Sequence, residues 1–175
     1  MVCDENRPVS HHTMTLRYLT LSELIYINGR VLDNEKIATG KQKVRDISLL
    51  EAAALRPSSS AFGEDAYPTL REKAAALVHS IARNHPFTDG NKRTAAVAAV
   101  FMFAVNGERI VWDQADALNV MIRVAENGWT VDQLAAWFPI SSDQARHDPD
   151  EALDRAAIET ILREQRWLLD ELNKR

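Results

Sequence analysis

Apolar residues recur at three- and four-residue steps along most of this chain, and runs that alternate apolar with polar residues are short and few. Leu24, Ile27, Val31 and Leu32 mark one face of a helix over Leu21 to Leu32. An alanine-rich helix over Leu49 to Leu55 stops before Pro57, because the residue ahead of a proline is driven out of helical geometry. From Thr69 to about Asn84, Leu70, Ala74, Leu77, Val78 and Ile81 keep helical spacing. From Asn91 to Val105 the chain is almost wholly apolar until Asn106-Gly107 ends it, so that helix is expected to be buried nearly all round. Helical spacing returns at about Trp112 to Glu126 and at Thr130 to Phe138. Extended chain is expected only around Pro57 to Tyr67 and Arg109 to Trp112. The fold class is therefore mainly α.

Four places match the helix-start pattern in which Ser or Thr is followed three residues later by Glu or Gln: Thr20/Glu23, Ser48/Glu51, Thr69/Glu72 and Thr130/Gln133. Residues 140–150 lie in a polar, proline-bounded stretch that reads as a linker after a domain spanning 15–139. Beyond it, residues 151–175 predict a separable amphipathic helix whose stripe is Leu153, Ala157, Ile161, Leu168 and Leu172. Glu151/Arg155 and Glu159/Arg163 stand four residues apart on that helix, as supporting ion pairs would. Residues 1–14 are polar and predict a disordered leader without the apolar region of a signal peptide.

Composition narrows the classes. With 175 residues, 46% of them hydrophobic, the chain is long enough for one well-packed core and short for two. A net charge of -4 argues against direct nucleic-acid binding, which usually needs a basic domain. The single cysteine, Cys3, excludes an internal disulfide framework and a thiolate metal site, and suits a reducing cytoplasm. The longest apolar run, Ala95 to Val105, is far below the roughly 20 residues that span a bilayer, so no membrane partner is expected.

Residues 85–96, HPFTDGNKRTAA, concentrate the chemistry. Pro86 and Asp89-Gly90 suit a turn, and Asn91 onward suits a helix, so the loop leads into a helix N-terminus. Unpaired N–H groups and partial positive charge at such a terminus, with Lys92 and Arg93 following a Gly-Asn entry, are what a phosphate requires. His85 and Asp89 then become a candidate general base and a candidate Mg2+ ligand, since magnesium needs only one or two carboxylates beside a nucleotide's own phosphates. Each residue also has a plain structural reading: His85 as a helix cap, Asp89 as a turn former, Lys92 and Arg93 as solvated charges, and Phe87 as a buried anchor.

Taken together and in order, H85-P-F-T-D-G-N-K-R93 resembles the signature of the Fic/Doc family, and of its Doc branch. RDISLLEAAALRP, FGEDAYPTLREKAAALVHSIARNHPF and WTVDQLAAWF extend the resemblance from about Arg45 to Phe138. With the helix at Leu16 to Leu32 it covers about two-thirds or more of the chain. The resemblance implies a helical bundle with a short flap at Ser58 to Pro68. It implies His85 as general base, Asp89 as Mg2+ ligand, Gly90 and Asn91 as backbone anion hole, Lys92 and Arg93 as phosphate contacts, and Phe87 as anchor. Adenylylating Fic enzymes carry Gly where Lys92 stands and a second Arg where Ala96 stands, and both departures point to Doc.

That branch is understood to move the γ-phosphate of ATP to a hydroxyl of elongation factor Tu and to be restrained by an antitoxin. Two alternatives remain open: nucleotide transfer to a target hydroxyl, and a non-catalytic binding or regulatory module. TILREQ, Thr160 to Gln165, fits the first five positions of the family's inhibitory pattern Ser/Thr-x-x-x-Glu-Gly/Asn and departs at the sixth, which makes Glu164 a candidate inhibitory residue. The plainer reading packs that helix on the domain, or on a second copy in a homodimer, through Leu153, Ile161, Leu168 and Leu172, with Trp167 joining them.

Overall fold

Thr20 opens the first helix as the sequence predicts: its hydroxyl accepts from the Glu23 N–H at 3.2 Å, and the Glu23 carboxylate accepts from the Thr20 N–H at 2.6 Å. The same two-way cap opens helices at Thr69 and Thr130. Ser48 is the exception. Asp46, two residues earlier, accepts from the Leu49 N–H at 3.0 Å, while its own N–H donates to the Pro86 carbonyl, so the start is set by an aspartate and a tertiary contact.

The computed structural model describes residues 15–142, 145–146 and 148–175, and the leader with Cys3, His11 and His12 lies outside them. In chain order come α1 (Leu21–Val31), α2 (Glu35–Ala38), α3 (Ile47–Leu55), a 3-10 turn, β1 (Ser60–Ala61), β2 (Glu64–Asp65), α4 (Leu70–Asn84) and α5 (Asn91–Val105). Then follow β3 (Arg109–Ile110), α6 (Gln114–Ala125), α7 (Val131–Trp137), β4 (Ile140–Ser141), α8 (Glu151–Glu164) and α9 (Arg166–Asn173). The fold is mainly α, and its strands form two small antiparallel pairs, β1 with β2 and β3 with β4. No helix among the described residues is long and apolar enough to cross a membrane.

Helix α5 is the axis of the bundle, in contact with α1, α4, α6, α8 and α9. Its run Ala95 to Ala99 is buried, as are Phe101, Met102 and Phe103, which accounts for an apolar pattern on every side. The alanines hold no side chain beyond Cβ and admit the neighbouring backbones closely. Gly29 of α1 does the same for α2, since a Cβ there would sit 2.2 Å from the Ala38 backbone nitrogen.

The C-terminal segment differs from the continuous helix that its periodicity predicts. It divides at Gln165, because Gln114 of α6 inserts its amide there: Nε2 donates to the Glu164 carbonyl at 3.0 Å and Oε1 accepts from the Leu168 N–H at 3.0 Å. The Trp112 indole donates to the Gln165 side chain at 2.9 Å beside it. Ile158, Ile161, Leu168, Leu169 and Leu172 enter the same hydrophobic core as α5. Leu153 and Trp167 do not, and are 56% and 49% exposed. The face turned inward carries Asp154 where the stripe predicts only apolar residues.

Of the two expected ion pairs on α8, Glu151 with Arg155 forms at 2.6 Å. Glu159 turns away from Arg163 and meets α1, accepting from the Arg30 guanidinium at 2.6 Å and from the Tyr26 hydroxyl at 2.9 Å. The Arg30 bond, followed by the Tyr26 bond, holds the Glu159 carboxyl below its ordinary pKa against the opposing effect of burial. A depressed carboxyl stabilises the fold above its unfolded pKa, and that contribution is lost as pH falls below the ordinary value of 4.5 through the folded one. Glu159→Gln is expected to cost about 0.5 kcal/mol at pH 7, small because solvent screens a pair this exposed. In urea melts the difference from the parent should shrink as pH drops toward 3. A difference that grew instead would contradict the assignment.

Candidate active site

Helix α4 ends at His85, whose left-handed backbone (φ 49°, ψ 59°) turns the chain out of the helix. Pro86 and Phe87 then drop into the core, with Phe87 only 2% exposed. Asn91 closes the loop four residues on. Its Oδ1 accepts from the Phe87 N–H at 3.0 Å and its Nδ2 donates to the Phe87 carbonyl at 2.9 Å. One buried amide side chain thus satisfies both backbone groups of the anchor.

Gly90 stands at the N-cap of α5 with φ 75°, and no side chain caps this helix. Its first-turn N–H groups are left for an acceptor from outside, and the helix dipole favours an anionic one. A Cβ at position 90 would lie 3.2 Å from both Asn28 Nδ2 and Leu32 Cδ2, in a backbone region that side chains avoid. Gly90→Ala should therefore cost about 1–2 kcal/mol and displace the loop. Thermal melting checks the first effect, and an unchanged melting temperature would show that the loop yields freely.

Asp89 is 72% exposed at its side chain. One carboxylate oxygen accepts from the Gly90 N–H at 2.5 Å, and the other lies 3.4 Å from the Arg93 guanidinium. Among the described residues no cluster of three or more His, Cys, Asp or Glu is arranged to hold a metal ion. An outward carboxylate beside an uncapped helix start fits the way magnesium is held with a nucleotide, through one protein oxygen, waters and the phosphates themselves.

The two basic residues separate in role. Lys92 is half-buried and makes no ion pair among the described residues. Arg93 is 11% exposed at its side chain, and its Nη1 donates to the Val31 carbonyl at the end of α1 at 2.9 Å. It tethers the loop to α1 while still lining the cleft.

Sequence reading missed Asn28. This residue of α1 is 1% exposed, and its Nδ2 donates to the Asp89 carbonyl at 2.9 Å and to Thr94 Oγ1 at 3.1 Å, holding the loop from a position 61 residues away. It also missed Lys73, which is 1% exposed and donates to the Pro57 carbonyl at 3.1 Å and the Asp65 carboxylate at 2.9 Å, fastening the β1–β2 hairpin to α4. Burial would lower the Lys73 pKa, but the bonds to Asp65 and Tyr18 raise it on balance, so the tether stays charged. Phe62 projects fully exposed at the hairpin tip.

His85, Asp89, Gly90, Asn91, Lys92 and Arg93 line one cleft of about 240 Å3, which Leu172, Asn173 and Arg175 close from α9 and beyond. Glu164 is not part of it. It is exposed and borders a separate cleft with Trp112 and Gln165. A larger cleft of about 470 Å3 between α1 and α8, bounded by Tyr26, Gly40 and Asp154, contains no residue of the 85–93 loop.

An imidazole, an outward carboxylate and an uncapped helix start thus share one cleft, and an uncapped helix start favours an anion. The sequence model of the Fic/DOC family matches residues 18–103. The chain is also 44% identical to a protein named Toxin Doc from Mycolicibacterium smegmatis over 114 residues, covering 60% of this chain and 88% of that relative. Helices α8 and α9 fall outside the stretch that the family model matches. On the loop, its setting between α4 and α5, and both comparisons, the chain belongs to the Fic/DOC family, on its Doc branch.

Proposed function

We propose that this chain is a Doc-like toxin of a toxin–antitoxin pair, which transfers the γ-phosphoryl group of ATP to a Ser or Thr hydroxyl of elongation factor Tu and so blocks translation. The observation that carries the reading is the convergence of His85, Asp89 and the uncapped start of α5 in one cleft, also lined by Lys92, which forms no ion pair among the described residues. The likeness to a toxin by name supports the biological role, and the antitoxin follows from that role.

In this mechanism His85 accepts the proton of the target hydroxyl as its oxygen attacks the γ-phosphorus. The bond from that phosphorus to the bridging oxygen breaks, and ADP departs. The first-turn amides of α5 and Lys92 face the charge that gathers on the transferred group, and their fixed positions are the source of the acceleration. Asp89 would hold Mg2+, whose chemistry is to neutralise phosphate charge. The hairpin at β1–β2, tied to α4 by Lys73, would offer an edge to extended target chain.

Lys92 in place of Gly and Ala96 in place of a second Arg favour phosphoryl over nucleotidyl transfer. Intact mass spectrometry of elongation factor Tu incubated with this protein, ATP and Mg2+ separates the two. A gain of about 80 Da supports the proposal, and a gain of about 329 Da replaces it with adenylylation.

A further inference from the structure

We propose that Arg175, carried beyond the end of α9, is a second phosphate-contacting cation of the cleft and works opposite Lys92. The inference rests on the nucleotide-binding reading above and names a residue outside the 85–93 loop.

Three observations lead to it. The cleft has two walls, the loop on one side and Leu172, Asn173 and Arg175 on the other. Arg93 is held to the Val31 carbonyl and lies near the Asp89 carboxylate, which leaves Lys92 as the one cation of the loop without a partner among the described residues. Helix α5 has no further cation to give, because Ala96, one turn beyond Arg93, is 1% exposed in the core. A phosphate chain seated on the α5 N-terminus therefore meets one free positive side chain from the loop and needs another to balance its charge.

The second wall supplies it. Of the two basic residues that follow Asn173, Lys174 is engaged by Glu171, whereas Arg175 lines the cleft and forms no ion pair among the described residues. Buried neighbours place its backbone, and its side chain is exposed. Leu168 and Leu172 are 0% and 3% exposed, and the Arg175 N–H donates to the Leu172 carbonyl at 3.4 Å. Gln114 clamps the start of α9 on α6, and the Arg17–Asp154 and Arg30–Glu159 pairs clamp α8 on the α1 side. A guanidinium carried at this point can span two phosphate oxygens at once, which an ammonium cannot do.

The test is isothermal calorimetry of the full chain with ATP, ADP and adenosine in Mg2+, using Arg175→Ala, Arg175→Lys and, as a neighbouring control, Lys174→Ala. Arg175→Ala is expected to weaken ATP binding about tenfold or more, to weaken adenosine binding by less than twofold, and to raise KM for ATP more than it lowers kcat. Arg175→Lys should recover part of the loss, and Lys174→Ala should bind as the parent does. Parent-like ATP binding by Arg175→Ala, or tighter binding, overturns the proposal and leaves the nucleotide reading standing. Failure of the parent to bind ATP at all removes the nucleotide reading, and this proposal with it.

Discussion

His85→Asn is expected to slow transfer to the target about a thousandfold while leaving the melting temperature unchanged. Asparagine is chosen because position 85 needs φ near 49°, a left-handed geometry that asparagine tolerates better than most residues. The imidazole is exposed at the mouth of the cleft, so its removal takes nothing from the core. Pro86 and Phe87 keep the loop seated, and Asn91 keeps it closed. What disappears is the group proposed to accept the proton of the attacking hydroxyl. Rates taken from intact-mass time courses under single-turnover conditions measure the loss directly. A variant within threefold of the parent would show that the attacking hydroxyl does not give its proton to His85, and would place the base elsewhere in the cleft.

The largest effect on stability is expected at Asp154. This aspartate of α8 is 6% exposed and takes both ends of the Arg17 guanidinium, at 2.9 and 2.5 Å. Arg17 also meets Glu23 at 2.5 Å, donates its backbone N–H to the Asn106 side chain at 2.8 Å, and stands 5.8 Å above the Phe101 ring. Burial alone would lower the Arg17 pKa, and the bonds to Asp154 and then the charge of Glu23 raise it beyond the ordinary value. Asp154→Ala strands that guanidinium inside the protein with one carboxylate where it had two. Removing one partner of such a pair costs about 3 kcal/mol, toward the lower end of the range because Glu23 remains. Urea unfolding should show the midpoint fall with little change in slope. If the Arg17→Met, Asp154→Leu double variant regains most of the loss, the cost lies in the orphaned charge. A loss under about 1 kcal/mol would mean that water reaches the pair.

The parts of this molecule that were legible in its sequence are those whose contacts fall within a turn or so of chain. Thr20 and Glu23 cap each other three residues apart, so spacing alone announces the cap. Asn91 reads as part of an anion hole, and the closing of its side chain on Phe87 four residues back goes unread. The burial of α5 over most of its surface was as plain as that cap, because no polar stripe runs along it. Ser48 misled because Asp46 competes for the same helix start and wins with help from the Pro86 carbonyl. Asn28 carries no local sign of its task, since a buried amide on an apolar helix face reads the same whether it holds a distant loop or nothing. Lys73 reads as a surface charge until the hairpin that it serves is folded over it. The break at Gln165 was illegible for a related reason: the residues from 151 to 173 are all compatible with one helix, and the interruption comes from Gln114 on another.

That single amide gives the bundle a steering point. Gln114 grips the last carbonyl of α8 and an early N–H of α9, so it sets the bearing on which α9 leaves the junction and therefore where Asn173 and Arg175 arrive. Shortening it to asparagine withdraws one methylene of reach without touching the 85–93 loop. The far wall of the cleft is in this sense aimed from α6, and drift at a position with no chemistry of its own can retune how wide the mouth stands open.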